Sequence, residues 1–193
     1  MYSVVRLYAT LSTTIADVLE IEPKVYQDDR GFFFESFNQK DFLACAAPTL
    51  PRGSAFVQDN HSRSGQYVLR GLHYQIQQPQ GKLMRVVKGE IFDVAVDIRR
   101  QSPTFGQWVG RVLSAENKKQ LWVPPGFAHG FLVLSEGAEV LYKTTEYYAP
   151  HYERCILWND PDLNIDWPLG ATAPILSTKD QSGKLLKDAE VFA

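Results

Sequence analysis

The sequence has few cysteines, no long apolar run and no cluster of like charges, and each absence excludes a class of protein. Cys45 and Cys155 are the two cysteines among 193 residues, too few for a disulfide framework, and neither lies in a metal-ligand spacing. No run of about eighteen apolar residues is present that would span a bilayer. The formal net charge is −2 and Lys and Arg are dispersed, so neither a membrane nor a nucleic-acid polymer is a predicted partner.

The N-terminal residues lack the features of a secretory leader. The stretch MYSVVRLYATLSTT contains Arg6 but no uninterrupted apolar core followed by a small-residue cleavage site. We therefore expect a cytoplasmic protein with reduced thiols.

Short apolar runs recur between turn signals such as Gln80-Gly81 and Pro124-Pro125-Gly126, a pattern typical of all-β proteins. Apolar residues occupy every second position from Phe92 to Ile98, which predicts a strand with one buried face. Further strands are predicted near 20–26, 31–37, 54–60, 67–75, 82–89, 107–113, 120–123, 130–135 and 138–146.

A short helix is predicted from Asn38 to Ala46, with Asn38 as its N-cap. About ten short strands with almost no helix favour a β-sandwich or barrel, and a jelly-roll barrel is the leading candidate. Because no linker or internal repeat is present, we predict a single domain over residues 1–193, with 1–14 as a possible N-terminal extension. The less regular segment from Pro168 onward is expected to wrap the barrel.

One strand carries two polar side chains that are costly to bury unless they are paired or used. Within Val68–Gln75, strict alternation would send Arg70 and His73 to opposite faces. Both residues can line one cavity only if the strand has a bulge at Gly71. A histidine in such a strand is, taken alone, more often structural than catalytic.

Lys82 follows the turn Pro79-Gln80-Gly81 and begins an apolar strand. An inward Lys82 would place a fixed positive charge in a low-dielectric cavity, where it could stabilise a developing oxyanion. The alternative is a surface lysine whose stem covers apolar residues.

The segment Pro125-Gly126-Phe127-Ala128-His129 matches the second half of the pattern of metal-binding cupins. The first half of that pattern has two histidines one residue apart and then a glutamate. Here His73-Tyr74-Gln75 is followed instead by Lys82, so two of the four ligands are absent and a cation is nearby. We therefore predict a cupin-like fold, the double-stranded β-helix, with a metal-free site.

Tyr142 and Asp180 are further candidates. Tyr142 shares a strand face with small and apolar residues, so a buried hydroxyl there needs a partner or a substrate. It is a candidate acid, although most tyrosines in such positions only pack. Asp180 lies in the irregular tail, where most aspartates are solvated.

Taken in order, these segments resemble the dTDP-4-dehydrorhamnose 3,5-epimerase family over about residues 15 to 180. The matching stretches are Glu22–Val25, Asp29–Ser36, Phe56–Ser62, Val68–His73, Gln80–Lys82, Phe92–Arg99, Ser102–Gly106, Pro125–Phe131 and Trp158–Pro161. The chain departs from the family in its N-terminal residues and in the 44–53 loop, and neither departure touches a motif.

The resemblance implies a homodimeric jelly roll without metal or cofactor that converts dTDP-4-dehydro-6-deoxyglucose to dTDP-4-dehydrorhamnose through an enolate. It implies that His73 is the general base and that Asp180 holds it. It also implies that Tyr142 donates a proton from the opposite side of the sugar and that Lys82 steadies the enolate. Residues expected to hold the nucleotide or sugar, some across the dimer, are Arg30, Phe33, Glu35, Gln58, Asn60, Arg70, His129 and Tyr148.

Two other functions stay open at this point. A single-centre epimerase or a 3,4-ketoisomerase acting on a related dTDP-keto sugar would share the barrel, but the Tyr142 motif favours double epimerisation. A sugar-binding cupin without catalysis would not need the set His73, Lys82, Tyr142 and Asp180, because buried ionisable groups are costly.

Overall fold

The computed structural model describes residues 8–50 and 53–193, where regular structure is mainly β. The strands are β1 (Tyr8–Ser12), β2 (Leu19–Pro23), β3 (Tyr26–Asp28), β4 (Gly31–Phe33), β5 (Gln58–Gly65), β6 (Leu69–Gln75), β7 (Lys82–Lys88), β8 (Glu90–Asp97), β9 (Trp108–Ser114), β10 (Gln120–Val123), β11 (Phe127–Val133), β12 (Gly137–Thr144) and β13 (Glu153–Cys155). The helices are α1 (Gln39–Ala46) and α2 (Thr178–Gln181), with 3₁₀ turns at Ala47–Thr49, Pro150–Tyr152 and Leu186–Asp188.

Two antiparallel sheets face each other. The six-stranded sheet has the order β1-β2-β10-β7-β12-β5, and the five-stranded sheet has the order β13-β6-β11-β8-β9. Strands β3 and β4 form a separate hairpin. Strands distant in sequence are neighbours in both sheets, as in a double-stranded β-helix, so the predicted all-β jelly roll is confirmed.

Most predicted strands are present, with shifted ends. The segment predicted as one strand at 20–26 is divided between β2 and β3, and the one predicted at 31–37 ends at Phe33. The strand predicted at 54–60 lies at 58–65 instead. Strands β1 and β13 and helix α2 were not predicted.

Strand β8 is buried on both faces, so the prediction of one buried face was wrong. Ala95 packs between the sheets, whereas Val94 and Val96 pack with Leu163 and Trp167 on the outer side. The face that alternation alone would leave to solvent, which carries Ala95, thus lies between the sheets, and the C-terminal segment covers the apolar face. This agrees with the expectation that the tail wraps the barrel.

Helix α1 begins as predicted, because the side chain of Asn38 accepts hydrogen bonds from the backbone N–H groups of Lys40 and Asp41. Phe42 in this helix packs with Trp122 on the outer face of the six-stranded sheet. Part of the predicted N-terminal extension, residues 8–12, forms β1 beside β2, and residues 1–7 lie outside the described residues. None of the helices in the described ranges is both long enough and apolar enough to cross a bilayer.

Candidate active site

A cleft of about 390 Å³ opens between the two sheets. Strands β5, β7 and β12 of the six-stranded sheet line one wall, and β6, β11 and β13 of the five-stranded sheet line the other. The lining residues are Gln58, Asn60, Ser62, Arg70, His73, Gln80, Lys82, Met84, His129, Phe131, Tyr142, Tyr148, Glu153 and Lys179.

The predicted bulge in β6 is present at Gly71. His73 pairs with His129 and Arg70 with Phe131, so β6 has one residue more than β11 between these pairs. Gly71 has φ +129, and a Cβ there would lie 2.5 Å from the Cα of Gly130, so a side chain does not fit. Because of the bulge, Arg70 and His73 both line the cleft, as predicted.

His73 is held from behind by Asp180. His73 Nε2 lies 2.6 Å from Asp180 Oδ1, and the aspartate is only 2% exposed. Asp180 also accepts hydrogen bonds from the backbone N–H of Gly71 at 3.1 Å and from Ser177 Oγ at 2.6 Å. Ser177 caps α2, so the start of this short helix fixes the carboxylate behind the imidazole.

These contacts determine the protonation of the pair. Burial lowers the pKa of His73, and its hydrogen bond to Asp180 only partly opposes this effect. Burial disfavours the Asp180 carboxylate, but hydrogen bonds from His73, Ser177 and Gly71 outweigh it and lower the pKa of this carboxyl. At neutral pH a neutral imidazole therefore bonds to a carboxylate, and its other ring nitrogen can accept a proton.

Lys82 faces the cleft from the opposite wall. Its Nζ donates a hydrogen bond to the backbone oxygen of His73 at 3.4 Å. Burial lowers the pKa of Lys82 to about 8, while the negative charge of Asp93 opposes that shift. The ammonium group is still largely protonated at pH 7. Of the two orientations of Lys82 considered from the sequence, the inward one is observed.

Tyr142 lines the same wall as Lys82, from β12. Burial raises the pKa of its phenol, and the nearby positive charge of Arg70 only partly offsets the rise. The hydroxyl therefore keeps its proton at neutral pH and can act as an acid.

His129 forms a second histidine–aspartate pair. Its Nε2 lies 2.7 Å from Oδ1 of Asp93, which is completely buried. The other oxygen, Asp93 Oδ2, has no hydrogen-bond partner in the described part of the chain. The contact with Asp93 fixes the orientation of His129 at the cleft.

Three further predicted binding residues share a hydrogen-bonded corner of the cleft. Gln58 Nε2 donates to Asn60 Oδ1 at 3.0 Å, and the backbone N–H of Tyr148 donates to Gln58 Oε1 at 3.0 Å. The Tyr148 side chain is exposed at the mouth, where a flat ring of a ligand could stack on it.

Arg30, Phe33 and Glu35 do not line the cleft of their own chain. Arg30 forms an ion pair with Asp28, and Phe33 is 67% exposed. Glu35 accepts a hydrogen bond from Asn38 Nδ2 at 3.2 Å. Their predicted roles in binding stay predictions.

Sequence reasoning missed several lining residues. Ser62 and Met84 lie two positions after Asn60 and Lys82, so strand alternation could have identified them. Glu153 and Lys179 carry no comparable local signal, because they lie in a three-residue strand and a four-residue helix.

His73, Cys155 and Asp180 place potential metal-ligand atoms within 4.8 Å of one another. His73 Nε2 and Asp180 Oδ1 are already engaged with each other, and burial raises the pKa of the Cys155 thiol to about 12. Since a metal needs the thiolate, this group is a poor ligand set.

The sequence is similar to that of known proteins over most of its length. A family model described as dTDP-4-dehydrorhamnose 3,5-epimerase matches residues 12–188. A curated dTDP-4-dehydrorhamnose 3,5-epimerase from Pseudomonas aeruginosa is 65% identical over 179 residues, which cover 92% of this chain and 96% of that protein.

Solved structures are similar over most of the chain. The crystal structure of a dTDP-6-deoxy-D-glucose-3,5-epimerase from Legionella pneumophila, in complex with dTDP-4-keto-L-rhamnose, superposes with a TM-score of 0.90 at 55% identity and covers 95% of each chain. A 3'-monoepimerase from Streptomyces bikiniensis, in complex with dTDP-quinovose, has a TM-score of 0.82 at 32% identity and covers 91% of this chain and 87% of its own.

Proposed function

The chain belongs to the dTDP-4-dehydrorhamnose 3,5-epimerase family and is thus an isomerase, and from this premise we propose that it inverts C3 and C5 of a dTDP-linked 4-keto-6-deoxyhexose. The product of that reaction on dTDP-4-dehydro-6-deoxyglucose is dTDP-4-dehydrorhamnose. The reaction transfers protons and involves no net oxidation or reduction of the sugar, so its chemistry needs no redox cofactor.

The observation that carries the proposal is the position of two groups on opposite walls. His73 projects from the five-stranded sheet, and Tyr142 projects from the six-stranded sheet into the same cleft. Inversion of a carbon requires that a proton leaves one face and another proton arrives at the opposite face. A base and an acid on facing walls meet that requirement.

The proposed steps follow from the acidity of protons next to a ketone. The C4 carbonyl acidifies the protons on C3 and C5, so neutral His73 can remove one of them while the electron pair moves to the carbonyl oxygen. The charge of Lys82 stabilises the resulting enolate oxygen. Tyr142 then gives its proton to the carbon from the other face, as the electron pair returns from the enolate oxygen to that carbon. The phenolate recovers a proton from solvent and the His73 imidazolium releases one to solvent before the second carbon reacts.

The Asp180 carboxylate has a supporting role in these steps. It fixes the tautomer of His73 and stabilises the imidazolium that forms when the base has accepted its proton. Around this centre, Gln58, Asn60, Arg70, His129 and Tyr148 are proposed to bind the nucleotide and the sugar.

We further propose that the chain is a homodimer in the cytoplasm. The β3–β4 hairpin supports the dimer, because Phe32 and Phe33 in β4 are 60% and 67% exposed and such exposed apolar rings favour burial against a partner. Arg30, Phe33 and Glu35 do not line the cleft of their own chain. In a dimer, the hairpin and the residues just after it can bring these three side chains to the cleft of the other copy.

The likeness to a 3'-monoepimerase makes a single-centre epimerase the second candidate. It keeps the cleft and the base but inverts one carbon. A 3,4-ketoisomerase would differ from both epimerases because it moves the ketone. A sugar-binding cupin would differ because it has no turnover.

Solvent deuterium uptake into dTDP-4-dehydro-6-deoxyglucose separates these functions. In D₂O we expect NMR to detect deuterium at both C3 and C5, together with inverted stereochemistry. Uptake at one carbon would support the single-centre epimerase, movement of the carbonyl to C3 would support the ketoisomerase, and no uptake would support the binding protein. The His73→Asn variant, which keeps a polar side chain of similar size, is the matched control and should exchange neither proton.

A further inference from the structure

Glu153 connects two sides of the cleft mouth. It is the first residue of β13, and its side chain is 20% exposed. Its Oε1 accepts a hydrogen bond from Lys179 Nζ at 2.8 Å, and its Oε2 accepts one from Tyr148 OH at 3.0 Å. The carboxylate thus links α2 to the loop that follows β12.

Lys179 places a second cation close to the His73–Asp180 pair. It precedes Asp180 in α2 and lines the cleft with Lys82. Two ammonium groups near one imidazole disfavour its protonated form. Glu153 is the carboxylate that binds Lys179, and the proposed mechanism gives it no role.

We propose that Glu153 is a positioning residue that fixes Lys179 at the cleft wall and offsets its positive charge beside His73. This proposal rests on the proposed function, in which His73 is the base. Glu153 does not need to touch the reacting carbon, since it acts through Lys179 and through the electrostatic field at the imidazole.

Charged and titratable groups face His73 from several packed elements. They are Asp180 and Lys179 from α2, Lys82 from β7, Glu153 and Cys155 from β13, His129 from β11 and Tyr142 from β12. Arg70 reaches the same cleft from His73's own strand. Of the anions in this set, Glu153 is the one that bonds to Lys179.

The directions of the pKa shifts agree with this arrangement. Burial is the main cause that lowers the pKa of His73, and the charges of Lys179 and Lys82 lower it further. Burial opposes ionisation of Glu153, but its hydrogen bonds with Lys179 and Tyr148 and the positive charges of Lys179 and of protonated His73 lower its pKa overall. The charge of Glu153 therefore favours the imidazolium, and that of Lys179 disfavours it.

NMR titration of His73 in the whole protein without substrate tests the proposal independently of turnover. In Glu153→Gln we expect the ratio of protonated to neutral His73, at the pH of the wild-type midpoint, to fall about threefold. In Lys179→Met we expect the same ratio to rise about threefold. The double variant should return close to the wild-type ratio, because the two charges offset each other.

Glu190→Gln is the matched control. Glu190 pairs with Arg154, the neighbour of Glu153 in β13, and strand alternation directs Arg154 to the other face. This variant should leave the titration of His73 unchanged. Unchanged titration in both Glu153→Gln and Lys179→Met, or shifts of the two in the same direction, would overturn the proposal.

A kinetic readout links the same variants to the reaction. The acid limb of kcat/KM reports the free base, so it should move to lower pH in Glu153→Gln and to higher pH in Lys179→Met. A purely structural role would lower the rate at all pH values and leave the limb in place. If the titrations shift as expected while the wild-type protein exchanges no deuterium, the proposed function fails and the electrostatic coupling stands.

Discussion

Lys82 keeps its charge in surroundings that resist it. Burial lowers its pKa to about 8, yet the side chain faces the cleft rather than solvent. A charge held in a low-dielectric cavity interacts strongly with a second charge that forms nearby during a reaction. The cost of burying Lys82 is therefore understandable if an oxyanion forms beside it.

Replacement of Lys82 by Met tests this interpretation, since Met keeps the length of the side chain and removes the charge. We expect kcat to fall by about 10²–10³-fold, as for other lost oxyanion stabilisers. The free energy of unfolding in urea should stay the same or rise, because a buried charge has been removed. The base limb near pH 8 should also disappear from the residual activity.

A lysine that only packs would behave differently. In that case Lys82→Met would change kcat by less than about threefold and leave the base limb in place. Lys88, an exposed lysine at the end of the same strand, provides the control, and Lys88→Met should not affect kcat.

The sequence identified many residues of the site, but not all of its contacts. His73, Lys82 and Tyr142 were found because each is an ionisable group within an apolar strand. Their roles came from the family resemblance, since each is individually more often structural. Glu153 gave no signal, because its importance depends on Lys179, which is distant in sequence and meets it only in the folded chain.

At the scale of secondary-structure elements, hydrophobic alternation predicts those strands well that pack on apolar neighbours. It failed for β5, which lies at 58–65 and not at 54–60. The sequence of β5, QDNHSRSG, is almost entirely polar, because its inner face lines the cleft and it forms an edge of its sheet. A strand that lines a polar cavity lacks the alternation of apolar and polar residues from which strands are predicted.

The bulge in β6 could be predicted only from the assumption that Arg70 and His73 share a cavity. The tight approach of Gly71 to Gly130 explains why two glycines meet there. A methyl group at Gly71 would contact the Gly130 backbone and would also oppose the positive φ.

We expect Gly71→Ala to lower the free energy of unfolding by about 2–4 kcal/mol, from overpacking and backbone strain together. Activity should fall further than stability alone explains, because the Gly71 N–H donates to Asp180. Urea unfolding and kcat measured on the same preparation check both parts.

Gly65→Ala is the control at the end of β5, since no atom lies within 4 Å of a Cβ added there. It should change the free energy of unfolding by less than about 0.5 kcal/mol. Equal effects of the two substitutions would mean that the bulge does not depend on glycine.

At the scale of the whole molecule, one chain contains the cleft but leaves the β3–β4 hairpin outside it. The proposed dimer accounts for this separation, because a partner's hairpin would complete the cleft. The same proposal predicts that the hairpin and the His73 of one chain belong to different active sites of the dimer.

Subunit mixing tests this directly. Alone, Arg30→Ala chains should be weakly active and His73→Asn chains inactive. Refolding them together should restore about a quarter of the wild-type sites, since half of the dimers are mixed and each has one intact site. Light scattering should give the mass of two chains. Absence of rescue with dimers present would show that Arg30 acts within its own chain.

The central claim is that His73 and Tyr142 act from opposite walls of one cleft, so that a proton leaves one face of the sugar and another arrives at the other. The most direct test compares deuterium exchange with inversion in Tyr142→Phe, which keeps the ring and deletes the hydroxyl. We expect exchange at C3 or C5 to persist, because His73 can remove and return a proton on its own face. Inversion, chiefly at C5, should slow by about 10²–10⁴-fold. If exchange and inversion instead fall together by a small factor, Tyr142 is not the proton donor and the two-wall account is wrong.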